Sequence, residues 1–112
     1  MTRILICEPN EELRRLLARM VSELGHQPVA VRAPGPEHIR DADLFILEPS
    51  DTVALATAQA VRLIDPLLPL IAIAGQAPPP ELHDLGVEFA AILPKPFTFE
   101  QLAAAIARAT SR

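Results

Sequence analysis

The sequence has little cysteine and little glycine, and each shortage excludes a class of site. Cys7 is the only cysteine among 112 residues, so the chain can form neither an internal disulfide nor a metal site built from several cysteines. This composition suits a reducing cytoplasm. The four glycines include no adjacent pair, and the sequence contains no glycine-rich loop of the kind that binds nucleotide phosphates.

An excess of positive charge and a long apolar run are also missing. Ten Lys and Arg residues stand against 14 Asp and Glu residues, which gives a net charge of -4 and an isoelectric point near 5.3. Because nucleic acids bind to basic surfaces, we expect no direct contact with DNA or RNA. Charged residues or prolines interrupt each apolar run, and the first run is too short for a secretory signal. We therefore expect no membrane segment and a cytoplasmic location.

Short apolar runs alternate with segments of helical periodicity. The runs predict buried strands at 3–7, 28–31, 44–48, 70–74 and 90–93. Helices are predicted from the cap Asn10 to the stop signal Gly25, within 36–41, over 52–64, over about 81–85 and over 99–110. Prolines shorten the second and fourth helices. The alternation predicts an α/β fold, a single domain over 1–112 whose parallel sheet is covered on both faces.

Three of these helices have a predicted cap or a predicted inward face. The first helix should bury a stripe made of Leu13, Leu16, Leu17, Met20, Val21 and Leu24. The third helix should begin at Ser50 or Asp51 and bury Val53, Ala56, Ala60, Val61 and Ile64. The last helix should begin at Thr98 and bury Phe99, Leu102, Ala103 and Ile106.

Three charged residues fall at the ends of predicted strands. Glu8 follows the first strand, Glu48 the third and Lys95 the fifth. The carboxyl ends of parallel strands share one edge of the sheet, and open α/β sheets bind ligands at that edge, where the strand order reverses. We therefore expect the two carboxylates and the ammonium group to point into one crevice.

Four segments resemble the CheY-like receiver domain of bacterial two-component response regulators. They are RILICEPN at 3–10, DLFILE at 43–48, VRLIDPLLPLIAIAG at 61–75 and ILPKPFTFEQLAAAI at 92–106. The resemblance covers essentially the whole chain. It implies a flavodoxin-like (βα)5 fold with five parallel strands in the order 2-1-3-4-5, and a role in phosphorelay signal transduction.

Most positions that carry the chemistry of that family are replaced in this sequence. Glu48 stands at the phospho-acceptor aspartate, and Glu8 with Pro9 stands at the acidic pair that holds magnesium. Ala74 and Ile92 stand at the switch hydroxyl and the switch aromatic residue. Lys95, followed by Pro96, matches the phosphate-binding lysine, so the resemblance is that of a degenerate receiver, or pseudo-receiver.

The replacements weaken each step of phosphoryl transfer. Pro9 has no side-chain oxygen, and magnesium tolerates little departure from octahedral oxygen ligands. Glu48 is one methylene longer than aspartate, and a displacement of about 1 Å can cost about 100-fold in rate. Ala74 cannot donate a hydrogen bond to a phosphoryl oxygen. We therefore expect no ordinary phosphorylation and no cofactor, and the replacements make magnesium binding doubtful.

The roles of the charged residues and of Cys7 stay open on the sequence alone. Glu48 can act as a permanent anion held by Lys95, and a structural ion pair is favoured over a reactive role. Glu8 can pair with Lys95, cap the first helix or bind a ligand. Cys7 is expected to be a buried small apolar residue. The three histidines, His26, His38 and His83, are expected at the surface and share no metal-ligand spacing.

These observations favour a non-enzymatic protein-protein interaction module that signals without phosphorylation. We expect no DNA-binding or enzymatic output, because the sequence ends with the last helix. The resemblance implies a partner face made of the fourth helix, the fifth strand and the alanine-rich fifth helix. That face would bind a histidine kinase, an output protein or a second copy. The alternatives are a working phospho-acceptor at Glu48 that uses magnesium, and a small-molecule sensor.

Overall fold

Five strands and four helices alternate along residues 2–75 and 88–111, which are the residues that the computed structural model describes. The strands are β1 (Arg3–Cys7), β2 (Gln27–Ala30), β3 (Leu44–Leu47), β4 (Leu70–Ala74) and β5 (Ala91–Pro94). The helices are α1 (Glu11–Glu23), α2 (Pro36–Asp41), α3 (Thr52–Ile64) and α4 (Phe99–Thr110). The helix predicted at about 81–85 lies outside the described residues.

The strands form one parallel sheet in the order β2-β1-β3-β4-β5. This order confirms the predicted flavodoxin-like fold. The central strands β3 and β4 are buried along their whole length, as expected for a parallel sheet with helices on both faces. Cys7 of β1 pairs with Leu47 of β3, so these two strands end at the same level. The register places Glu8 and Glu48 next to each other.

Alternate residues of each strand contribute to two separate cores. Ile4 and Ile6 of β1 pack on the side of the sheet that α1 and α4 cover, whereas Leu5 and Cys7 pack on the side of α2 and α3. This alternation is the ordinary consequence of the pleat. The four residues are completely buried. The site at the carboxyl edge therefore stands on a sheet that is packed from both sides.

Three helices begin where their capping residues predict. The side chains of Asn10, Asp51 and Thr98 accept hydrogen bonds from the backbone N–H groups three residues later, at 2.9, 3.1 and 3.1 Å. Of the two predicted caps of α3, Ser50 and Asp51, the structure shows Asp51. Gly25 follows α1 with a φ of 88°, a left-handed conformation that suits glycine at the end of a helix.

The structure corrects several predicted boundaries and faces. In α1, Leu16 of the predicted buried stripe is 44% exposed. Strand β2 begins at 27 instead of 28, β3 ends at 47, and β5 spans 91–94 instead of 90–93. In α3, Ala56 is exposed, and the buried residues are Ala54, Thr57, Ala58 and Val61. In α4, Ala105 and Ala109 are buried, whereas Phe99 and Ala103 are only partly buried. Alanines lie on every side of these helices, so their apolar pattern did not fix the rotation of the helix.

Both edges of the sheet carry a proline. Pro28 lies in edge strand β2, and Pro94 ends edge strand β5. A proline has no N–H group to donate to an added strand, and natural sheets use it to prevent pairing at their edges. Each proline therefore disfavours the addition of a further strand at its edge of the sheet. Of the described helices, none is both long enough and apolar enough to cross a bilayer.

Arg62 joins the end of α3 to two other segments. Its guanidinium group donates hydrogen bonds to the carbonyl oxygens of Pro66 at 3.1 Å, Leu68 at 3.0 Å and Glu88 at 3.3 Å. The first two oxygens lie between α3 and β4, and the third lies just before β5. One side chain therefore satisfies three carbonyl groups that belong to no helix or strand.

Replacing Arg62 with methionine should lower the free energy of unfolding by about 2 kcal/mol, because three carbonyl groups lose a charged donor. Urea denaturation would measure the loss. Arg19→Met is the matched control, since Arg19 is exposed on α1, and it should change the free energy by less than about 0.5 kcal/mol. Equal effects of the two substitutions would contradict the role of Arg62.

Candidate functional site

The carboxyl edge of the sheet gathers the three predicted charged residues. Glu8 directly follows β1, Glu48 follows β3, and Lys95 follows the last strand. Strands β1 and β3 are neighbours at the centre of the sheet, and the chain leaves β1 on one side for β2 and returns on the other for β3. This is the point where the strand order reverses, and ligand sites of open α/β sheets occur at such points.

Lys95 binds both glutamates at once. Its Nζ lies 3.0 Å from Oε1 of Glu8 and 2.9 Å from Oε2 of Glu48. Lys95 is the only lysine in the chain, and the other nine basic residues are arginines. A lysine ammonium group is a compact charge with three rotatable donors, whereas an arginine presents a planar fork. The compact group suits a position between two carboxylates that come from different strands.

Both oxygens of Glu48 have partners. Oε2 accepts from Lys95, and Oε1 accepts from the backbone N–H of Ser50 at 3.2 Å and from its hydroxyl at 2.6 Å. Burial alone would raise the pKa of Glu48, but the hydrogen bonds from Ser50 and Lys95 outweigh it and hold the pKa below the ordinary 4.5. The carboxylate is therefore ionised at neutral pH and fixed from two sides.

Glu8 is held less completely than Glu48. Its Oε1 accepts from Lys95, but its Oε2 is buried and has no hydrogen-bond partner. Burial is the largest influence and raises the pKa of Glu8 above 4.5, although Lys95 opposes it. Arg14 donates to the backbone oxygen of Glu8 at 2.7 Å and not to the carboxylate. The alternative that Glu8 caps α1 is wrong, because Asn10 is the cap.

Lys95 keeps its proton in this position. Burial alone would lower the pKa of its ammonium group, but the hydrogen bonds and the charges of Glu48 and Glu8 raise it above 10.5. The cluster of Glu8, Glu48 and Lys95 therefore contains one permanent cation and one permanent anion. A second carboxylate lies beside them, and its charge is only partly compensated.

A second ion pair lies at the same edge, and sequence reasoning missed it. Arg32 follows β2 and donates to both carboxylate oxygens of Asp51, at 2.9 and 3.1 Å. Asp51 also caps α3. The signal was present, because Arg32 comes just after a predicted strand in the same way as Glu8 and Glu48. Ser50 was considered only as a helix cap, and its bond to Glu48 depends on a turn that no periodic pattern describes.

Cys7 and the two described histidines, His26 and His38, show no catalytic arrangement. The Cys7 thiol is completely buried and donates to the backbone oxygen of Arg32 at 3.5 Å. Burial, with a contribution from Asp51, raises its pKa to about 11, so it is an unreactive thiol. His38 Nδ1 accepts from the backbone N–H of Gly35. His26 is partly buried, which corrects the expected surface position, and His83 lies outside the described residues.

The remaining positions named by the resemblance are not polar partners of the cluster. Pro9 and Pro96 are exposed, and Ala74 is buried at the end of β4. Ile92 is 55% exposed and lines a groove between β5 and α4. Residues 2–75 and 88–111 contain no group of three or more His, Cys, Asp or Glu side chains that could hold a metal ion.

Comparison with known proteins identifies the fold. No protein-family model matches the sequence, and no curated protein matches it either. The chemotaxis protein CheY4 of Vibrio cholerae superposes with a TM-score of 0.81 at 19% identity, over 97% of this chain and 98% of that one. The receiver domain of a sensor histidine kinase from Pseudomonas aeruginosa, with magnesium in its active-site cleft, gives 0.77 at 21% identity over 96% of both chains. The chain has the receiver fold.

A third structural neighbour is named as a protein of pilus assembly. It is a protein of Burkholderia thailandensis named as the pilus assembly protein CpaE, which superposes with a TM-score of 0.75 at 22% identity over the full length of both chains. At these levels of identity the neighbours establish the architecture. The chemistry of the crevice has to be argued from the residues of this chain.

The two glutamates should titrate in a fixed order. We expect the Glu48 carboxyl to have a pKa below 4.5 and the Glu8 carboxyl a pKa above it, because only Glu48 receives the two hydrogen bonds from Ser50. Side-chain carboxyl carbon shifts, followed by NMR between about pH 2 and 8, measure both values. Ser50→Ala should raise the pKa of Glu48 and leave Glu8 almost unchanged. The reverse order of titration would contradict this description of the cluster.

Replacing Lys95 with methionine should lower the free energy of unfolding by about 3 kcal/mol at pH 7, because two buried carboxylates lose their counter-ion. The deficit should shrink as the pH falls through the pKa values of the glutamates. Without the ammonium group, the folded variant takes up protons at a higher pH than the wild type, so acid stabilises it relative to the wild type. Urea denaturation at pH 7 and near pH 4 gives both differences.

Arg32→Met is the matched control for Lys95→Met, since it breaks an ion pair whose arginine is largely exposed. It should cost less than Lys95→Met at pH 7 and show a weaker recovery in acid. A Lys95→Met variant as stable as the wild type at pH 7 would show that the cluster does not depend on its cation.

Proposed function

We propose that this chain is a pseudo-receiver, a phosphorylation-independent interaction module of bacterial signal transduction that acts in the cytoplasm and is not an enzyme. The observation that carries the proposal is the double contact of Lys95 with Glu8 and Glu48 at 3.0 and 2.9 Å. In this arrangement the groups that would handle a phosphoryl group and a metal ion are bonded to one another.

The state of Glu48 argues against a nucleophilic role. A carboxylate that attacks a phosphoryl donor needs a free oxygen lone pair aligned with the incoming group. In this chain Ser50 and Lys95 bond to the two oxygens of Glu48, and the residue is only 7% exposed. Oε1 already accepts two hydrogen bonds, so attack would have to use the second lone pair of Oε2, directly beside the Lys95 ammonium group.

The residues present do not fit a magnesium site. Magnesium needs several oxygen ligands at about 2.0–2.1 Å in octahedral positions. Pro9 offers no side-chain oxygen, and Lys95 Nζ lies between the two carboxylates that remain. A divalent cation close to this ammonium group would be repelled by it. We therefore propose that the module needs no metal and no other cofactor.

The partner face that we propose includes β5 and α4. Ile92 is 55% exposed there, beside a groove of about 220 Å³ that is also lined by Ala104, Ala105 and Arg108. A large exposed apolar side chain beside small residues favours docking of another protein. A histidine kinase, an output protein or a second copy would bind here. The predicted fourth helix of this face lies outside the described residues.

The likeness to CpaE suggests one setting for such a partner. A second protein, named as pilus assembly-related and from Burkholderia pseudomallei, also superposes, with a TM-score of 0.72 at 21% identity. We propose pilus assembly as a candidate process for this module. Its partner would then be a component of that machinery, bound through the same β5–α4 face.

Small-molecule sensing is a second candidate function, and one observation favours it. An apolar groove of about 360 Å³ lies beside the cluster, lined by Leu13, Leu16, Lys95, Pro96 and Phe97. Its volume is within the range of ligand pockets. Its polar lining is limited to Lys95, whose ammonium group is already bonded, so the interaction module is the stronger proposal.

Magnesium with beryllofluoride tests the proposal, because beryllofluoride mimics an acyl phosphate without a kinase. Backbone amide NMR of the wild type should show no shifts at Glu8, Glu48, Ala74 or Lys95 at millimolar reagent concentrations. The triple variant Pro9→Asp, Glu48→Asp and Ala74→Thr is the matched positive control. It restores the side chains that the receiver resemblance implies, so it should gain shifts at these positions.

Clustered, saturable shifts in the wild type would overturn the proposal and favour a working phospho-acceptor at Glu48. Addition of a phosphoryl-like group at Glu48 would change the contact of Oε2 with Lys95, which the amide and side-chain resonances of Lys95 would report. Binding of an apolar small molecule at Leu13 and Phe97 would instead favour the sensor.

A further inference from the structure

The groove between β5 and α4 is lined mainly by small or apolar residues. Ala91 and Leu93 of β5 and Ala104 and Ala105 of α4 line it, and the 55% exposed side chain of Ile92 stands beside them. Its volume of about 220 Å³ is below the range of about 300–1,000 Å³ that is usual for small-molecule pockets. The groove therefore suits one protruding side chain of another protein better than a separate ligand.

The two polar side chains that line the groove both offer hydrogen-bond donors. Gln101 and Arg108 are exposed and lie seven residues apart on α4, which is about 10 Å along the helix axis. The side-chain oxygen of Gln101 already accepts from the backbone N–H of Thr98 at 2.8 Å, so this residue has its amide N–H groups left to offer. An arginine can only donate. A partner in the groove must therefore supply oxygen acceptors.

The guanidinium group of Arg108 is not engaged within the part of the chain that the structure describes. No hydrogen bond or ion pair among those residues includes its side chain, whereas Arg14, Arg32 and Arg62 each bond to a carbonyl or carboxylate oxygen. Arg108 lies in the last turn of α4, where a positive charge stabilises a helix from any side-chain rotamer. The group is therefore able to turn towards a carboxylate in the groove.

The charge of the whole chain limits what the partner can be. A net charge of -4 repels a strongly acidic protein. At ordinary ionic strength, however, interactions between exposed charges fade beyond about 10 Å. A single carboxylate placed directly at Arg108 would gain its local attraction without the cost of an acidic surface. The acid should therefore be a local feature of the partner, next to the side chain that fills the groove.

We propose that the β5–α4 groove binds a partner protein through one large apolar side chain and a neighbouring carboxylate. The apolar side chain would pack over Ala104 beside Ile92, and the carboxylate would pair with Arg108. An arginine–carboxylate pair can form two parallel hydrogen bonds, which would fix the orientation of the partner. This inference rests on the proposed function, because it names the chemistry of the partner that the β5–α4 face would bind.

Three acetylated and amidated pentapeptides test this chemistry, each with a central leucine next to an aspartate, an asparagine or a lysine. Backbone amide NMR should place the aspartate peptide at β5 and α4. It should bind about fivefold more tightly than the asparagine peptide, because a charged acceptor forms the stronger hydrogen bond with arginine. Arg108→Gln should abolish this preference. Arg19→Gln is the matched control, since it removes the same charge from an exposed position on α1, and it should keep the preference.

Filling the groove tests the apolar part of the contact. Ala104→Leu should weaken the aspartate and asparagine peptides alike, and its circular dichroism should stay unchanged because Ala104 is exposed. A lysine peptide that binds as tightly as the aspartate peptide would overturn the proposal. Equal effects of Arg108→Gln and Arg19→Gln would also overturn it, since they would show a general effect of charge.

Two further results would count against this partner. The first is the absence of shifts at β5 and α4 with up to about 10 mM of the aspartate peptide, which is the weakest binding that such a contact should show. The second is a set of shifts at β5 and α4 that depends on protein concentration without peptide, which would mean that a second copy fills the groove. Either result would leave the pseudo-receiver proposal standing, because that proposal depends on the response of Glu48 and Lys95 to beryllofluoride.

Discussion

The contact of one ammonium group with two carboxylates organises the carboxyl edge of this domain. Glu8, Glu48 and Lys95 come from β1, β3 and the end of the last strand, so the cluster ties the centre of the sheet to one of its edges. The cost of removing three charged groups from water is offset only while all three are together. The backbone geometry that presents them, including the level ends of β1 and β3, is therefore part of the same constraint.

The extra methylene of Glu48 determines which groups its carboxylate can reach. In a receiver with an aspartate at this position, the carboxylate would sit about one carbon–carbon bond further back. The longer side chain places one oxygen on Ser50 and the other on Lys95. This geometry suits a structural role for Glu48 better than a reactive one. In the proposed pseudo-receiver, the side chains of the domain itself hold one state, and a partner would recognise its surface.

Much of this arrangement could be predicted from the sequence, because it follows from strong local patterns. The apolar runs at 3–7, 44–48 and 70–74 located the central strands, and the positions of Glu8, Glu48 and Lys95 after strands placed them at one edge. The position of Arg32 at this edge could also have been predicted, but its bidentate contact with Asp51, the bond from Ser50 and the orphaned oxygen of Glu8 could not. They depend on side-chain rotamers and turn geometry, which leave no periodic signal.

The face of α3 that is buried could not be predicted from the sequence, for a related reason. Its alanines at 54, 56, 58 and 60 fall on opposite sides of the helix, so burying one set or the other differs little in apolar area. The sheet and the cap at Asp51 decide which set is buried.

The single lysine has a consequence for covalent regulation. Acetylation, methylation and many conjugation reactions act on lysine side chains that reach solvent as free amines. In this chain the one lysine has its ammonium group bonded to two carboxylates, and every other basic side chain is an arginine. Acylation would remove the positive charge of Lys95 and leave Glu8 and Glu48 without their counter-ion. The carboxyl edge of the sheet would then lose the contacts that hold its strands' ends together. Enzymes that mark lysines on protein surfaces therefore find no target on the helices of this domain.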